Sequence, residues 1–264
     1  MSDADSDSIP EFFIPLPENH PEPIFSDGGA LVVVGDLDCY GEVELPPGEL
    51  SRAIEIKHHD SRRRFLAGRR LIRGTVAPLI GVRPDLVPLA IADTGKPYLT
   101  DGAEGSVRVP YLALAHSGDL VVTLLSTEEC GIDLERGHRR GPGHGYDRCL
   151  DPVRLSERFF SQEESLFLAQ LDKRSREESF FTLWTCREAA IKADGRGLAA
   201  LLSSTRVRSE HLTNDSDARG DVMTIPVQIG GDTWQALPWR MHGRYHAAIA
   251  FKDLPHVIHW RDLR

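Results

Sequence analysis

What this sequence lacks narrows its identity first. Its only cysteines, Cys39, Cys130, Cys149 and Cys186, lie far apart with no C-x-x-C pair, which argues against short-spaced zinc ligands and against a disulfide framework. They read as reduced thiols. No apolar run reaches the roughly 20 residues that a membrane-spanning helix needs, so a soluble chain with no membrane partner is expected. Basic residues are not in surplus either: 31 Lys and Arg against 40 Asp and Glu leave a net charge of −9, which disfavours a nucleic-acid binder, because neutralising phosphates takes an excess of Lys and Arg at the contact. The opening "MSDADSDSIPEFF" is acidic where a secretory leader would be basic and apolar, and so reads as a cytoplasmic start. No Walker loop and no kinase signature is present.

What is present is globular. With 41% hydrophobic and 27% charged residues over 264 positions, the chain can bury a substantial core. Residues 1–29 read as a loose arm with Phe12 and Phe13 as anchors, residues 30–127 as one α+β half and residues 128–264 as a second. "ALVVVGDLDCYGEVEL" predicts a strand and a turn, and the stretch from Pro47 to Gly81 two helices broken near Asp60 and Ser61, with Phe65, Ile72, Val76, Leu79 and Ile80 on one stripe. Successive strands end near Ala115 and Leu125, followed by "GIDLE". After a Gly-rich loop, "VRLSERFFSQEESLFLAQL" and "REESFFTLWTCREAAIKADGRGL" read as helices, the second stopped by Gly195 and Gly197. Three strand candidates close the chain.

Two short stretches carry charge in a pattern that needs explaining. In "GIDLE" the period of a strand puts Asp133 and Glu135 on one face and Ile132 and Leu134 on the other. Like charges so placed repel unless a cation lies between them, and oxygen ligands suit a hard ion such as Mg²⁺; a solvated strand edge is the bland alternative. In "LWTCREAAIK" helical spacing aligns Trp184, Glu188 and Lys192, with Phe180 and Phe181 a turn before. A carboxylate on an apolar helix face is costly unless paired or metal-bound, although an exposed Glu–Lys pair would also account for the spacing. "HSGDL" offers His116, "DTGKPYL" offers Lys96 before a stiffening proline, and "SRRRFLAGRRLIR" offers Arg69 or its neighbours as a phosphate clamp. A zinc role for His58 and His59 of "KHHD" is weak, because adjacent helix residues point apart.

In order, "FLAGRRLIR", "GKPYL", "AHSGDLVV", "GIDLE", "RFFSQEE" and "LWTCREAAIKADGRGL" resemble the successive motifs of the Sfp-type 4′-phosphopantetheinyl transferase family, over about half the chain from Phe65 to Leu198. The resemblance implies a pseudo-dimer of two similar α+β halves with the active site in the cleft between them. It implies an enzyme that transfers the phosphopantetheine arm of coenzyme A to a serine of an apo acyl, polyketide or peptidyl carrier protein, acting as a monomer and releasing adenosine 3′,5′-bisphosphate. By the same resemblance Asp133, Glu135 and Glu188 match its Mg²⁺ ligands, and Lys192 its lysine at the reacting phosphate, with Asp133, Glu188 and Lys192 as the catalytic set. Arg69, His116 and Ser117 fall among the groups at the nucleotide phosphate, and Lys96 and Pro97 beside the adenine. The sequence departs from the family pattern at Ala115, where many members carry Ser, at Arg187, where Lys is usual, and in a longer loop, "GHRRGPGHGYDRCLDP". Rival readings are another Mg²⁺-dependent phosphoryl-transfer enzyme and a non-catalytic module binding coenzyme A or a carrier protein.

Overall fold

The computed structural model describes residues 13–15, 25, 28–38, 43–100, 111–137, 152–197, 201–207 and 223–264. Phe12, Cys39, Arg139, Arg140, Cys149 and Leu198 lie outside them. The first part of the chain forms β1 (Phe13–Pro15), β2 (Gly29–Asp36), α1 (Pro47–Glu55), α2 (His59–Ile80), β3 (Leu89–Ile91), β4 (Pro97–Leu99), β5 (Tyr111–Ser117) and β6 (Leu120–Ser126). The second part forms β7 (Cys130–Arg136), α3 (Pro152–Phe159), α4 (Gln162–Gln170), α5 (Lys173–Asp194), β8 (Thr205–Val207), β9 (Ile225–Ile229), β10 (Asp232–Met241), β11 (Tyr245–Phe251) and β12 (Val257–Asp262).

These elements make a mixed α+β architecture of four layers. One sheet has the order β1-β12-β2-β6-β5 and the other β7-β11-β10-β9-β8, with β3 and β4 as a separate hairpin. Strict alternation along the strands gives each sheet two apolar faces. Leu31, Val33, Leu112, Val121 and Leu125 of the first sheet pack against Ala67, Leu71, Ile72 and Val76 of α2. The opposite face, with Val32, Val34, Val122 and Leu124, packs against Ile132, Leu134, Ile249 and Phe251 of the second sheet. The outer face of the second sheet, with Val227, Ala236, Ala248 and Ala250, is covered by Phe180, Trp184 and Ile191 of α5. Small residues on β11 let α5 lie close to that sheet.

Several elements differ from the sequence reading, each for a non-local reason. The N-terminal arm contributes β1, which pairs in parallel with β12, and Phe13 is buried between Trp239 and Trp260. The closing segment Val257–Asp262 crosses back and pairs with β2 of the first sheet, so a boundary at 127/128 separates β6 from β7 but leaves β12 with the earlier strands. The helical stretch after Pro152 is divided at Ser161. Its hydroxyl accepts from the Glu164 N–H while the Glu164 carboxylate accepts from the Ser161 N–H, a capping box that starts a new helix. The break expected near Asp60 falls at residues 56–58, between α1 and α2.

Candidate active site

The site grows from one close approach between β7 and α5. Asp133 and Glu135 lie on the face of β7 turned to the helix, while Ile132 and Leu134 enter the core between the sheets. Gly131, two residues before Asp133 on the same face, makes this possible. A Cβ there would sit 2.0 Å from the carbonyl oxygen of Ala189 and 2.4 Å from the backbone nitrogen of Ala193. Only glycine lets the strand rest on the helix backbone. The helix is fixed at both ends, by Asp172 accepting from the Arg174 and Ser175 N–H groups and by Gly195 in the left-handed region at φ 80°.

Where the two elements meet, carboxylates outnumber their counter-charges. Asp133 is 3% exposed and Glu188 8%. Lys192 donates to Asp133 Oδ1 at 2.5 Å and lies 3.9 Å from Glu188 Oε2. Asp133 Oδ2 is buried without a partner. Burial, and then the charge of Asp133, push Glu135 up to about 7 and Glu188 up to about 8. Burial alone would lower the Lys192 ammonium, but Asp133 and Glu188 hold it above its ordinary value. Trp184 faces Glu135 from the same side of α5, as the helical spacing predicts.

The first sheet supplies the opposite wall. His116 and Ser117 end β5, which lies against β7 without belonging to the same sheet. Burial, with the charges of Arg64 and Lys192, holds the His116 imidazole below its ordinary range. Ser117 Oγ donates to Glu135 Oε2 at 3.1 Å. Lys96 Nζ donates to the carbonyls of Cys130 and Ala193 at 3.1 and 3.2 Å, tying the β3–β4 hairpin to both β7 and α5. Between them lies a mostly apolar cavity of about 210 Å³, lined in part by Lys96, Pro97, Leu114, Ile191, Lys192 and Gly197.

The structure thus gathers Asp133, Glu135, Glu188, Lys192, His116 and Ser117, with Lys96 and Pro97 at the adjoining cavity. Arg69 is not among the charges acting on His116. It sits 3.7 Å from Glu49 and over the Phe65 ring. Arg64, five residues earlier on α2, is the guanidinium beside His116, and its Nε is buried without a partner. The basic run contains both residues, but its helical phase relative to β5 is set only by packing. Arg187 faces away from the cluster, 0% exposed, with Nη1 donating to both Glu164 oxygens and Nη2 to the carbonyls of Phe159 and Leu202. His58 and His59 are exposed. Among the described residues no three His, Cys, Asp or Glu side chains are gathered closely enough to hold a metal ion as they stand, and no helix is long and apolar enough to cross a membrane.

Comparison with known proteins finds similar sequences for the part of the chain that builds this geometry. Residues 129–250, from the start of β7 to the end of β11, match the 4′-phosphopantetheinyl transferase superfamily. The chain is 36% identical over 159 residues to 4′-phosphopantetheinyl transferase HetI of Nostoc sp. (60% of this chain, 62% of the relative). It is 31% identical over 160 residues to 4′-phosphopantetheinyl transferase psf-1 of Bacillus pumilus (59% of each chain). To 4′-phosphopantetheinyl transferase Sfp of Bacillus subtilis it is 25% identical over 166 residues (62% of this chain, 66% of the relative). The chain spans about three fifths of the length of the curated relatives it matches. The resemblance is concentrated in residues 129–250, which carry β7, α5 and β11.

Proposed function

We propose, with that similarity as the premise, that this chain transfers the phosphopantetheine arm of coenzyme A to a serine hydroxyl of an apo carrier protein. The observation that carries the reading is the unbalanced cluster at the β7–α5 contact. Three carboxylates, one buried oxygen without a partner and two acids held near neutral protonation form a donor set that a hard divalent cation would relieve. Asp133, Glu135 and Glu188 would hold Mg²⁺, whose charge would stabilise the negative charge that develops on the pyrophosphate.

The chain's own residues would do the rest. Lys192, now committed to Asp133, is the ammonium available to a phosphate oxygen. Glu188, as a carboxylate at the centre of the cluster, is the candidate to take the proton of an attacking serine. His116 and Arg64 offer donors to the nucleotide phosphate from the first sheet. The apolar cavity beside Lys96 and Pro97 suits a flat nucleobase. The segment with Arg139 and Arg140, outside the described residues, is the expected docking element for the carrier, and the enzyme is expected to act as a monomer.

The test is mass spectrometry of an apo carrier protein incubated with this chain, coenzyme A and Mg²⁺. A gain of one phosphopantetheine that disappears with EDTA is expected, and no gain on several carriers would overturn the proposal. Glu188→Gln is expected to lower the transfer rate by about 10²–10⁴-fold while leaving coenzyme A binding within about twofold of the parent.

A further inference from the structure

We infer that Ser117 is a positioning residue for the Glu135 carboxylate and not a contact for the nucleotide. The inference deepens the reading of the cation site proposed above and rests on it.

A serine hydroxyl has one proton to donate and two lone pairs to accept with. At Ser117 the proton goes to Glu135 Oε2 at 3.1 Å, and one lone pair accepts the Arg136 backbone N–H at 3.0 Å. A phosphate oxygen is an acceptor, so Ser117 could serve it only by giving up Glu135. Its free lone pair has nothing to accept from such a ligand.

The bond to Glu135 crosses between sheets. Ser117 ends β5 at the edge of the first sheet and Glu135 lies on β7 at the edge of the second, with no backbone ladder between them. Side chains therefore decide how the Glu135 carboxylate stands relative to His116. The base on which Ser117 stands is itself anchored. The Asp119 N–H donates to Tyr245 Oη at 3.3 Å, Arg136 lies 3.4 Å from Asp119 Oδ2, and Gly118 turns the chain at φ 55° in a space where a Cβ would be 2.8 Å from Tyr245 Oη. A hydroxyl on so fixed a turn can hold one carboxylate oxygen in place and leave the other for a cation. Outer partners of this kind commonly set metal affinity by 10–100-fold.

Titration calorimetry with Mn²⁺ alone, on the full chain, tests this. Ser117→Ala is expected to weaken Mn²⁺ binding by about 10–100-fold and to leave coenzyme A affinity in EDTA unchanged. Ser117→Thr, which keeps the hydroxyl, should restore Mn²⁺ binding, and Ser117→Cys, which keeps the volume but donates only weakly, should follow the alanine variant. If the residue acts through Glu135, Ser117→Ala combined with Glu135→Gln should bind Mn²⁺ no more weakly than Glu135→Gln alone. Unchanged Mn²⁺ affinity with weakened coenzyme A binding, or additive losses in the double variant, would overturn the inference alone. A parent chain that binds no Mn²⁺ would overturn the cation reading and this inference with it.

Discussion

Arg187 and Glu188 are neighbours on α5, both buried and both charged, yet they sit in opposite electrostatic conditions. Arg187 enters a charge-balanced cluster: Glu164 meets it with both oxygens and also accepts the Val207 N–H, two carbonyls take further guanidinium protons, and the Phe160 ring lies 4.6 Å away. Glu188 enters a cluster with three carboxylates and one ammonium. A buried ion pair braced by further hydrogen bonds fixes a structure, because breaking it strands a charge. A cluster left with excess charge is tolerable only if protons or a cation supply the balance. One side of the helix therefore holds the fold together, and the other carries the charge imbalance on which the proposed cation site rests.

The comparison is broken most severely at the charge-balanced side. Arg187→Ala leaves Glu164 buried and unpaired and is expected to cost about 3–5 kcal/mol, read as a lower denaturant midpoint at unchanged slope. A loss below about 1 kcal/mol would mean that the pair is replaceable and the contrast false. Next in size is Gly131→Ala, which forces β7 away from the Ala189 carbonyl. A loss of about 1–3 kcal/mol is expected, together with weaker Mn²⁺ binding by calorimetry, since both acids of β7 move with the strand.

The smallest effect sharpens the contrast, because its sign is reversed. Glu135 and Glu188 are held up to about 7 and about 8 against an ordinary value of 4.5, so between those limits the folded chain binds more protons than the unfolded one. Stability then falls as pH rises. His246, pushed down by burial and by Arg240 to about 3 from 6.5, acts the other way and costs stability as pH falls below 6.5. The carboxylates therefore act without it between pH 6.5 and 8. In metal-free buffer Glu188→Gln is expected to flatten that fall and to raise the melting temperature at pH 8 by a few degrees, whereas Glu164→Gln should lower it. A parent chain whose melting temperature rises from pH 6.5 to 8, or a Glu188→Gln variant that lowers it at pH 8, would remove the difference between the two clusters.

Much of this was legible along the chain. The two-residue period of "GIDLE" put Asp133 and Glu135 on one face, and the helical period put Trp184, Glu188 and Lys192 on one stripe, because each repeat is a property of a few consecutive residues. The stop of α5 at Gly195 was equally readable. The division of the 153–171 stretch at Ser161 was missed, although Ser161 and Glu164 stand at capping-box spacing within it. Arg64 beside His116 could not be separated from Arg69, since nothing in a basic run says which turn of the helix faces a strand 50 residues away. The return of β12 to the first sheet had no local signal at all.

By itself, then, the sequence determined the periodicity of the main elements and the chemistry each face carries, down to the acids and the lysine that make the contact. Only the tertiary structure decided that Gly131 lets β7 rest on α5, that Arg187 turns to Glu164 while Glu188 turns to Asp133, and that Ser117 reaches across from another sheet. The physical reason is range: backbone periodicity is set within a few residues, whereas the balance of charge in a buried cluster depends on side chains that meet only when distant segments pack.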